Sequence, residues 1–496
     1  MDQPNILFVM TDQQRFDTIA ALGNTDIHTP NMDRLVRRGL AFEKAYAPCP
    51  VCVAARYGIR TGCLPPTTRV YSNGISGAAP GQADTIEGRC GVFLAKRMKE
   101  LGYRTFGVGK FHTTPWDEDI GYEVQLHSEE LYSSADQRAR DAFASWIARE
   151  HPAYDFQEGL MGERTEMYYM PQMSAMPAEA TVEGWAAARA VELIAAEDRR
   201  PYFGFVSFVG PHPPFAPPIP YNRLYNPDRM PDLVPGELET DHMDDQIPWM
   251  NHLIWAEDIN DSHARVLKAR YYGELTYIDA CLGRILDAVK ARPDGDNTLI
   301  CFYSDHGDLL GDHHGWQKES FFEASCHVPF LLSWPARLPK NERRTELAML
   351  TDLFGIATHA AGAPEPREGV DLLYVLNGHA MPRDHVLGFH REPGTPWFKC
   401  MAYDGRYKYI YLANGGLEQL FDLENDPHER ENVADSQPDI KARLREVVVN
   451  ACATPGAAAA LEDGELRAFP FQRQERKRIH QFDRSRGVRG FPEKPA

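Results

Sequence analysis

Two cysteines and an arginine within one short segment are the residues best suited to chemistry in this chain. Cys49 and Cys52 form a Cys-x-x-Cys pair, and Arg56 follows on the C-terminal side. The pattern from Cys52 to Arg60 is helical, with Gly62 as a C-cap, which places Cys52 at a helix N-terminus. The unpaired N–H groups and the dipole at that end favour an anion, and Arg56 lies one turn later on the same face. The segment therefore predicts either an anion-binding site or a thiol redox pair.

Acidic and histidine side chains follow two apolar runs that predict buried strands. Asp12 comes just after Asn5–Met10, and both Asp305 and His306 come just after Asn297–Tyr303. Asp305 and His306 are adjacent on a turn, so both can face one ion, and such a density of Asp and His at a strand end predicts a metal site. For Asp12 alone, a role as the cap of the following helix is an alternative interpretation.

Three basic side chains follow two further apolar runs. Lys110 and His112 come after Thr105–Gly109, and residues two apart in an extended segment point the same way, so the pair can hold a tetrahedral oxyanion. His212 follows Tyr202–Val209 and is flanked by prolines, which would hold it rigidly as a general acid or an anion ligand. For Lys110 and His112, a surface lysine and a packed histidine are the alternatives.

The apolar runs before these residues predict the elements that position them. Strands with two apolar faces are typical of the middle of a parallel sheet covered by helices, and their carboxyl ends share one edge. We therefore expect an α/β fold with a large, mostly parallel sheet sandwiched by helices. That edge would gather Asp12, Lys110, His112, His212, Asp305 and His306 beside Cys52. Residues 113 to about 200 are expected to form substrate-facing loops followed by a helix near Thr181–Glu197, and residues 216–265 to form one long loop. Neither segment has a pattern that identifies a substrate.

From about Pro382 the pattern changes to short strands separated by turns, followed by a helix around Asp439–Ala451. This predicts a small antiparallel sheet with one helix. The predicted domains are a catalytic α/β domain at 1–380, an α+β subdomain at 381–460 and a basic extended arm at 461–496. The arginine-rich arm is expected to dock on an acidic neighbour and to support a homo-oligomer.

Length and charge exclude some classes of function. The chain has 496 residues, which is enough for a large core and more than one domain. A formal net charge of -18 argues against nucleic acid as a partner, although a local basic pocket can still bind a small anion. The sequence shows neither a secretory signal nor an apolar run of membrane-spanning length, and the 9 cysteines lack the spacing of a disulfide framework. These features predict a cytoplasmic protein with mostly reduced thiols and no membrane partner.

Together, these motifs resemble the type I, formylglycine-dependent sulfatases of the alkaline phosphatase superfamily, close to the arylsulfatase and phosphonate monoester hydrolase group. The segment from Cys52 to Arg56 has the form Cys-x-Pro/Ala-x-Arg of the family signature, and Thr61-Gly62 follows it. The other matching pieces span most of the chain: Asn5–Asp12, Gly109-Lys110-Phe111-His112, Pro211-His212-Pro213, Ser304-Asp305-His306-Gly307, Lys318 and Leu420–Pro427, the last of which marks the family's C-terminal subdomain.

The resemblance implies one divalent cation bound by Asp12, Asp305 and His306, with Ca²⁺ first and Mn²⁺ or Mg²⁺ as alternatives. Many sulfatases have a second aspartate directly after the first; here that place is Gln13, whose amide oxygen can still act as a ligand. The resemblance also implies that Cys52 is oxidised to formylglycine by a formylglycine-generating enzyme or an anaerobic sulfatase-maturing enzyme. The implied catalytic and substrate-binding residues are Cys52, Arg56, Asn73, Lys110, His112, His212 and Lys318.

The implied activity is hydrolysis of a small anionic sulfate monoester to an alcohol and sulfate. The nearest alternative is a phosphonate monoester or phosphodiester hydrolase of the same superfamily, which shares the formylglycine and the Asp-His metal pair. Because that subfamily's pocket lacks the Lys-x-His after the glycine-rich strand, Lys110 and His112 favour sulfate. An alternative of another class is a redox or binding protein that uses Cys49 and Cys52.

Overall fold

The computed structural model describes residues 3–74, 85–130, 134–155, 168–236 and 243–476. Its centre is an eight-stranded sheet with the order β5-β4-β6-β1-β7-β8-β2-β9. The strands of this sheet are β1 (Asn5–Thr11), β2 (Leu40–Phe42), β4 (Arg104–Gly109), β5 (Val124–His127), β6 (Tyr202–Ser207), β7 (Thr298–Ser304), β8 (Phe330–Ser333) and β9 (Glu342–Arg344). Two further strands, β3 (Ala45–Tyr46) and β10 (Ala348–Met349), pair with each other beside it.

The middle of the sheet is parallel, as the apolar runs predict. Strand β1 pairs in parallel with β6 and β7, and β4 pairs in parallel with β5 and β6. Strand β8 is the exception, since it runs antiparallel to both of its neighbours, β7 and β2. Every residue of β1, β6 and β7 is buried. The prediction of a large, mostly parallel sheet is therefore confirmed.

Helices cover both faces of the sheet. They are α1 (Pro30–Arg38), α2 (Cys52–Thr61), α3 (Pro65–Thr68), α4 (Ile86–Cys90), α5 (Leu94–Glu100), α6 (Ala135–Arg140), α7 (Ala142–Glu150), α8 (Val182–Ala195), α9 (Gln246–Leu253), α10 (Asp261–Ala291), α11 (Glu323–Cys326), α12 (Asp352–Ala360), α13 (Leu372–Leu376) and α14 (Pro438–Cys452). The prediction of one long loop at 216–265 is wrong, because this segment contains all of α9 and the first turn of α10.

Alternate residues of β1 enter the two cores of the sandwich. Leu7 and Val9 pack in one cluster with residues of α1, α8 and α10. Ile6 and Phe8 pack in the other cluster with residues of α2, α5 and α12. A strand whose side chains are apolar on both faces can satisfy both layers at once, which is why it occupies the centre.

The C-terminal sheet is a four-stranded antiparallel meander of β11 (Val386–His390), β12 (Lys399–Tyr403), β13 (Tyr407–Leu412) and β14 (Leu417–Asp422). Helix α14 packs on β12 and β13 and shares a core with them. The predicted small antiparallel sheet with one helix is confirmed. A buried ion cluster joins this sheet to α11: Lys408 Nζ lies 2.7 Å from Oε1 of Glu323 and 2.6 Å from Oε1 of Glu429.

The predicted arm at 461–496 is described as far as residue 476. It begins with a short hairpin of β15 (Leu461–Glu462) and β16 (Glu465–Leu466) rather than with extended chain. Further on, the backbone N–H of Gln474 donates to Asp245 at 2.7 Å, and Trp249 of α9 donates to the carbonyl of Glu475 at 3.3 Å. Residues 477–496 lie outside the described part, and the homo-oligomer stays a prediction. Within the described ranges, no helix has both the length and the apolar character needed to span a bilayer.

A close approach between β4 and β6 fixes the start of the segment that carries Lys110. Gly109 has φ +114, and a Cβ built on it would lie 1.8 Å from the carbonyl oxygen of Ser207. That same oxygen accepts the backbone N–H of Lys110 at 3.1 Å. Only glycine fits both the positive φ and the contact, so this position determines where the chain leaves β4.

We predict that Gly109→Ala lowers the free energy of unfolding by more than about 3 kcal/mol, because it adds a backbone clash to the strain of a positive φ. Gly102→Ala is the matched control: its φ is +90, but nothing lies within 4 Å of its added Cβ, so only the strain of about 1–2 kcal/mol is expected. Denaturant unfolding of both variants measures the difference. Equal losses in the two variants would contradict the proposed close contact.

Candidate active site

The candidate site lies at the carboxyl edge of the sheet, where four neighbouring strands end. The sheet order places β4, β6, β1 and β7 side by side, and each of these strands is followed by predicted site residues. Helix α2 begins at Cys52 beside this edge. The structure thus brings together residues that are distant in sequence: Asp12, Cys52, Arg56, Lys110, His212, Asp305, His306 and Lys318.

Arg56 binds both predicted acidic ligands from the first turns of α2. Its Nη2 lies 2.7 Å from Oδ2 of Asp12, and its Nε lies 2.9 Å from Oδ2 of Asp305. Its Nη1 donates to Oγ of Ser207 at 3.1 Å and to the carbonyl of Lys110. Burial alone would lower the pKa of Arg56, but the carboxylates of Asp305 and Asp12 outweigh burial and raise it. The guanidinium therefore sets the positions of the two carboxylates relative to α2.

Four side chains offer ligand atoms to one point. One ligand atom from each of Asp12, Cys52, Asp305 and His306 lies within 4.8 Å of the others, and all four residues are buried. His306 Nδ1 lies 3.0 Å from the carbonyl oxygen of Gly307, so Nδ1 carries the hydrogen and the lone pair of Nε2 faces the cluster. Burial lowers the pKa of His306 to about 4, which keeps the ring in the neutral form that a metal ligand requires.

The donor set fits a divalent cation. Arg56 and Lys110 both bind Oδ2 of Asp12, whereas Oδ1 of Asp12 faces the Cys52 sulfur at 3.7 Å and Nε2 of His306 at 3.8 Å. A buried carboxylate oxygen that faces an imidazole lone pair is stabilised by a cation between the two atoms. Burial would raise the pKa of Asp12, but Lys110 and Arg56 outweigh it and hold that pKa well below its ordinary value. Carboxylate oxygens with one imidazole suit Ca²⁺, Mg²⁺ or Mn²⁺.

Gln13 lies next to this cluster in the left-handed region, with φ 68. Its side-chain Nε2 donates to Oδ2 of Asp308 at 2.6 Å, and its Oε1 accepts from Nζ of Lys318 at 2.7 Å. Its backbone N–H donates to Oδ1 of Asp305 at 3.2 Å. Gln13 therefore connects Lys318 to the cluster, and its role as a metal ligand stays a prediction.

Neither cysteine of the Cys-x-x-Cys pair is an activated thiolate. Burial and the nearby Asp12 raise the pKa of Cys52 to about 12, and burial with Glu319 raises that of Cys49 well above its ordinary value. Both thiols are fully buried, and all nine cysteines are free. Reactive redox cysteines are usually exposed and have a lowered pKa. The geometry therefore gives no support to the redox alternative.

A cavity of about 410 Å³ opens at this edge of the sheet, and five predicted residues line it: Asn73, Lys110, His112, His212 and Lys318. Lys318 links the cavity to the cluster, because its Nζ lies 3.1 Å from the Cys52 sulfur. Asn73 has a second contact, since its Oδ1 accepts the backbone N–H of Val53 at 3.0 Å and so caps α2. The cavity thus brings two lysines and several hydrogen-bonding groups near position 52, and three glutamates also line it: Glu129, Glu130 and Glu319.

Lys110 and His112 both reach the cavity, but not through the extended backbone expected from their spacing. His112 has φ 51, in the left-handed region. Lys110 is fully buried, with its Nζ 2.8 Å from Oδ2 of Asp12 and 2.7 Å from Oε2 of Glu130, so the alternative of a surface lysine is wrong. Burial lowers the pKa of His112 to about 3, which leaves the ring neutral and able to accept a proton.

His212 is held from both sides of its ring. Its Nδ1 lies 2.8 Å from the carbonyl oxygen of Pro213, and its Nε2 lies 3.3 Å from Oε1 of Glu130. Burial lowers the pKa of His212, and Glu130 is the strongest influence that opposes this shift. The loop that carries His212 is held at Gly210, whose backbone N–H donates to Oε1 of Glu183 at 2.9 Å.

Three acidic residues of the site carry no role in the motif pattern. Glu129 accepts the backbone N–H groups of Phe111 and His112, at 2.8 and 3.1 Å. Glu130 binds Lys110 and His212, and Asp308 binds Gln13. Glu129 and Glu130 come just after β5, as Lys110 comes just after β4, so their position at a strand end could have identified them. Strand β5 is harder to recognise in the sequence, because it is short and only one of its four residues is buried.

The comparisons with known proteins agree with this geometry. The Sulfatase family model matches residues 4–363, and the model described as N-sulphoglucosamine sulphohydrolase, C-terminal, matches residues 311–452. The chain is 28% identical over 453 residues to an arylsulfatase of Clostridium perfringens, covering 88% of this chain and 91% of that protein. It is also 28% identical over 448 residues to a choline-sulfatase of Rhizobium meliloti, and this match covers 88% of this chain and 83% of that protein.

A solved structure supports the same fold. The phosphonate monoester hydrolase of Agrobacterium radiobacter matches with a TM-score of 0.74 at 25% identity, covering 90% of this chain and 95% of that chain. The resemblance seen in the motifs is thus confirmed by a family match over most of the chain and by an alkaline phosphatase-like fold. This protein is an enzyme that belongs to the sulfatase family.

Proposed function

We propose that this enzyme hydrolyses a small anionic sulfate monoester to an alcohol and sulfate, with formylglycine made from Cys52 as the nucleophile. One observation carries the proposal: the side chain at position 52 lies between the other members of the ligand cluster and Lys318, which lines the cavity. The Cys52 sulfur is 3.1 Å from Nε2 of His306 on one side and 3.1 Å from Nζ of Lys318. An oxygen nucleophile at this position would face both a metal ion and a bound sulfate group.

Asp12, Asp305 and His306 would hold one divalent cation, with the amide oxygen of Gln13 as a further donor. We propose Ca²⁺, with Mn²⁺ and Mg²⁺ as alternatives, because the donors are hard oxygens with a single imidazole. When bound, the cation supplies positive charge that stabilises an anionic oxygen at position 52.

Maturation would break the Cβ–S bond of Cys52, release the sulfur as sulfide, and oxidise Cβ by two electrons to an aldehyde with an oxidant that the maturing enzyme supplies. A formylglycine-generating enzyme or an anaerobic sulfatase-maturing enzyme would perform this step. Cys52 is fully buried, at 0% exposure, beneath the cavity. The maturing enzyme would therefore act before this part of the chain has folded around position 52.

Hydration of the aldehyde gives two hydroxyl groups on one carbon. One hydroxyl loses its proton to water, attacks sulfur and displaces the alcohol, while Lys110, Lys318 and Asn73 stabilise the sulfuryl oxygens. His212 would protonate the departing alcohol oxygen. The second hydroxyl then gives its proton to the neutral His112, the aldehyde re-forms, and sulfate leaves. Each turnover consumes one water molecule.

Hydrolysis of phosphonate monoesters or phosphodiesters is the second candidate function. It is favoured by the match to a phosphonate monoester hydrolase structure over 90% of this chain. Lys110 and His112 both line the cavity, and these are the residues that favour sulfate. Both ester classes present an anionic tetrahedral centre, so we expect measurable activity on the second class alongside sulfate ester hydrolysis.

We predict that the tryptic peptide 45–56 of the active enzyme carries an aldehyde at position 52, and that Cys52→Ala abolishes turnover. The reason is that neither a thiol nor a methyl group can release sulfate through a geminal hydroxyl. Mass spectrometry of the peptide and hydrolysis of 4-nitrophenyl sulfate measure the two effects. Cys49→Ala is the control and should keep the aldehyde. A Cys49–Cys52 disulfide in active protein would contradict the proposal.

We predict that Asp305→Ala removes the single divalent cation and lowers kcat by at least about 1000-fold, because it deletes a ligand and leaves Arg56 partly uncompensated. Metal content per chain is measured by mass spectrometry on dialysed protein, in parallel with the rate. Asp17→Asn is the control, since Asp17 pairs with Arg15 outside the ligand cluster. Unchanged metal content in Asp305→Ala would remove this residue from the ligand set.

We predict that Lys110→Ala lowers kcat/KM for 4-nitrophenyl sulfate at least about 10-fold more than for a 4-nitrophenyl phosphonate monoester. Lys110 is one of the two residues that favour sulfate, so its loss should affect that ester class more strongly. Both rates are measured on the same preparation, which removes differences in maturation. Equal losses on the two esters would contradict the proposed basis of the preference.

A further inference from the structure

The strongest unassigned feature of the active site is a carboxylate, Glu130, that touches two residues of the proposed mechanism. Its Oε2 lies 2.7 Å from Nζ of Lys110, and its Oε1 lies 3.3 Å from Nε2 of His212. Tyr168 donates its hydroxyl to Oε1 at 2.8 Å and packs edge-on against the ring of His212, with 5.3 Å between centroids. Glu130 is 8% exposed and His212 is 4% exposed, and both line the cavity from which substrate and water would reach them.

The two ring nitrogens of His212 show where its protons lie. Nδ1 is 2.8 Å from the carbonyl oxygen of Pro213, which can only accept, so Nδ1 carries a hydrogen. Nε2 faces a carboxylate oxygen, and a bare lone pair there would repel it. The contact is favourable only if a proton lies between Nε2 of His212 and Oε1 of Glu130. At 3.3 Å the bond is long for N–H···O, so the same N–H can turn to another acceptor.

We propose that Glu130 is a positioning residue that keeps a proton on Nε2 of His212, ready for transfer to the alcohol that leaves. This inference rests on the proposed function and assigns a residue outside the family motifs. When the alcohol leaves, its S–O bond breaks and the proton on Nε2 of His212 passes to the alcohol oxygen. Nε2 is then reprotonated from water, while Glu130 stays ionised throughout.

The surrounding charges explain why a carboxylate is needed here. Burial lowers the pKa of His212, and the cations Lys318 and Lys110 act in the same direction. Glu130 opposes them more strongly than Asp12 does. Burial would raise the pKa of Glu130, but His212 and Lys110 outweigh it and lower that pKa, so Glu130 remains a carboxylate. Glu130 is therefore the strongest influence that favours a proton on His212, and it acts against burial and the two lysines that would bind the sulfuryl group.

The test compares leaving groups on the matured, metal-loaded enzyme. Glu130→Gln keeps the side-chain volume and an oxygen for Lys110 but removes the charge. We expect kcat to fall by about 100-fold or more for phenyl sulfate, whose alcohol needs a proton, and by under about 5-fold for 4-nitrophenyl sulfate, whose phenolate leaves unaided. In a His212→Asn background, the same change should add no further dependence on the leaving group.

Glu129→Gln is the matched control, because Glu129 holds the backbone of His112 and should affect the two sulfates equally. The proposal would be overturned if Glu130→Gln lowered kcat equally for phenyl sulfate and 4-nitrophenyl sulfate, or lowered it for neither. Nuclear magnetic resonance of enzyme with ¹⁵N-labelled histidine provides a readout that needs no turnover, with His212→Asn assigning the signals. The Nε2 proton of His212 should be present in the wild type and absent in Glu130→Gln, and identical spectra would refute the role. If the wild type cleaves no sulfate ester, the proposed function fails, and this spectrum still decides the role of Glu130.

Discussion

The bridge that Arg56 makes between Asp12 and Asp305 is the interaction on which the rest of the site depends. The two carboxylates come from β1 and β7, and the guanidinium comes from the helix that begins at Cys52. All three side chains are at most 1% exposed, so none of these charges is compensated by water. Loss of one partner from such a buried group leaves the others uncompensated, at a cost of about 3–5 kcal/mol. The bridge therefore fixes the position of residue 52 relative to the ligand cluster.

Around this bridge, side chains of opposite charge pair with one another at the sheet edge. Asp12 pairs with Lys110, Lys110 also pairs with Glu130, and Glu130 also contacts His212. These residues follow β1, β4, β5 and β6, which are four consecutive strands of the sheet in the order β5-β4-β6-β1. The row of charges is a direct consequence of parallel strands that all end at one edge.

The sequence predicts the residues that follow strongly apolar strands and misses those that do not. Asp12, Asp305 and His306 follow β1 and β7, whose residues are all buried, so the strand ends are easy to locate. Glu130 follows β5, an outer strand of the large sheet with mixed polarity, and therefore gave no comparable signal. The contact between Gln13 and Lys318 joins residues far apart in the chain, and no local pattern specifies such a pairing.

The balance of charge supports the proposed role of a bound cation in anion binding. In the described site, Arg56, Lys110 and Lys318 lie beside the carboxylates of Asp12, Asp305 and Glu130, and the site also holds Glu129 and Asp308. The side chains alone therefore carry no excess of positive charge, within a protein whose formal net charge is -18. A divalent cation would add a net positive charge next to position 52, where the sulfuryl group would lie. The lysines can then orient the anion, while its attraction to the site comes mainly from the ion.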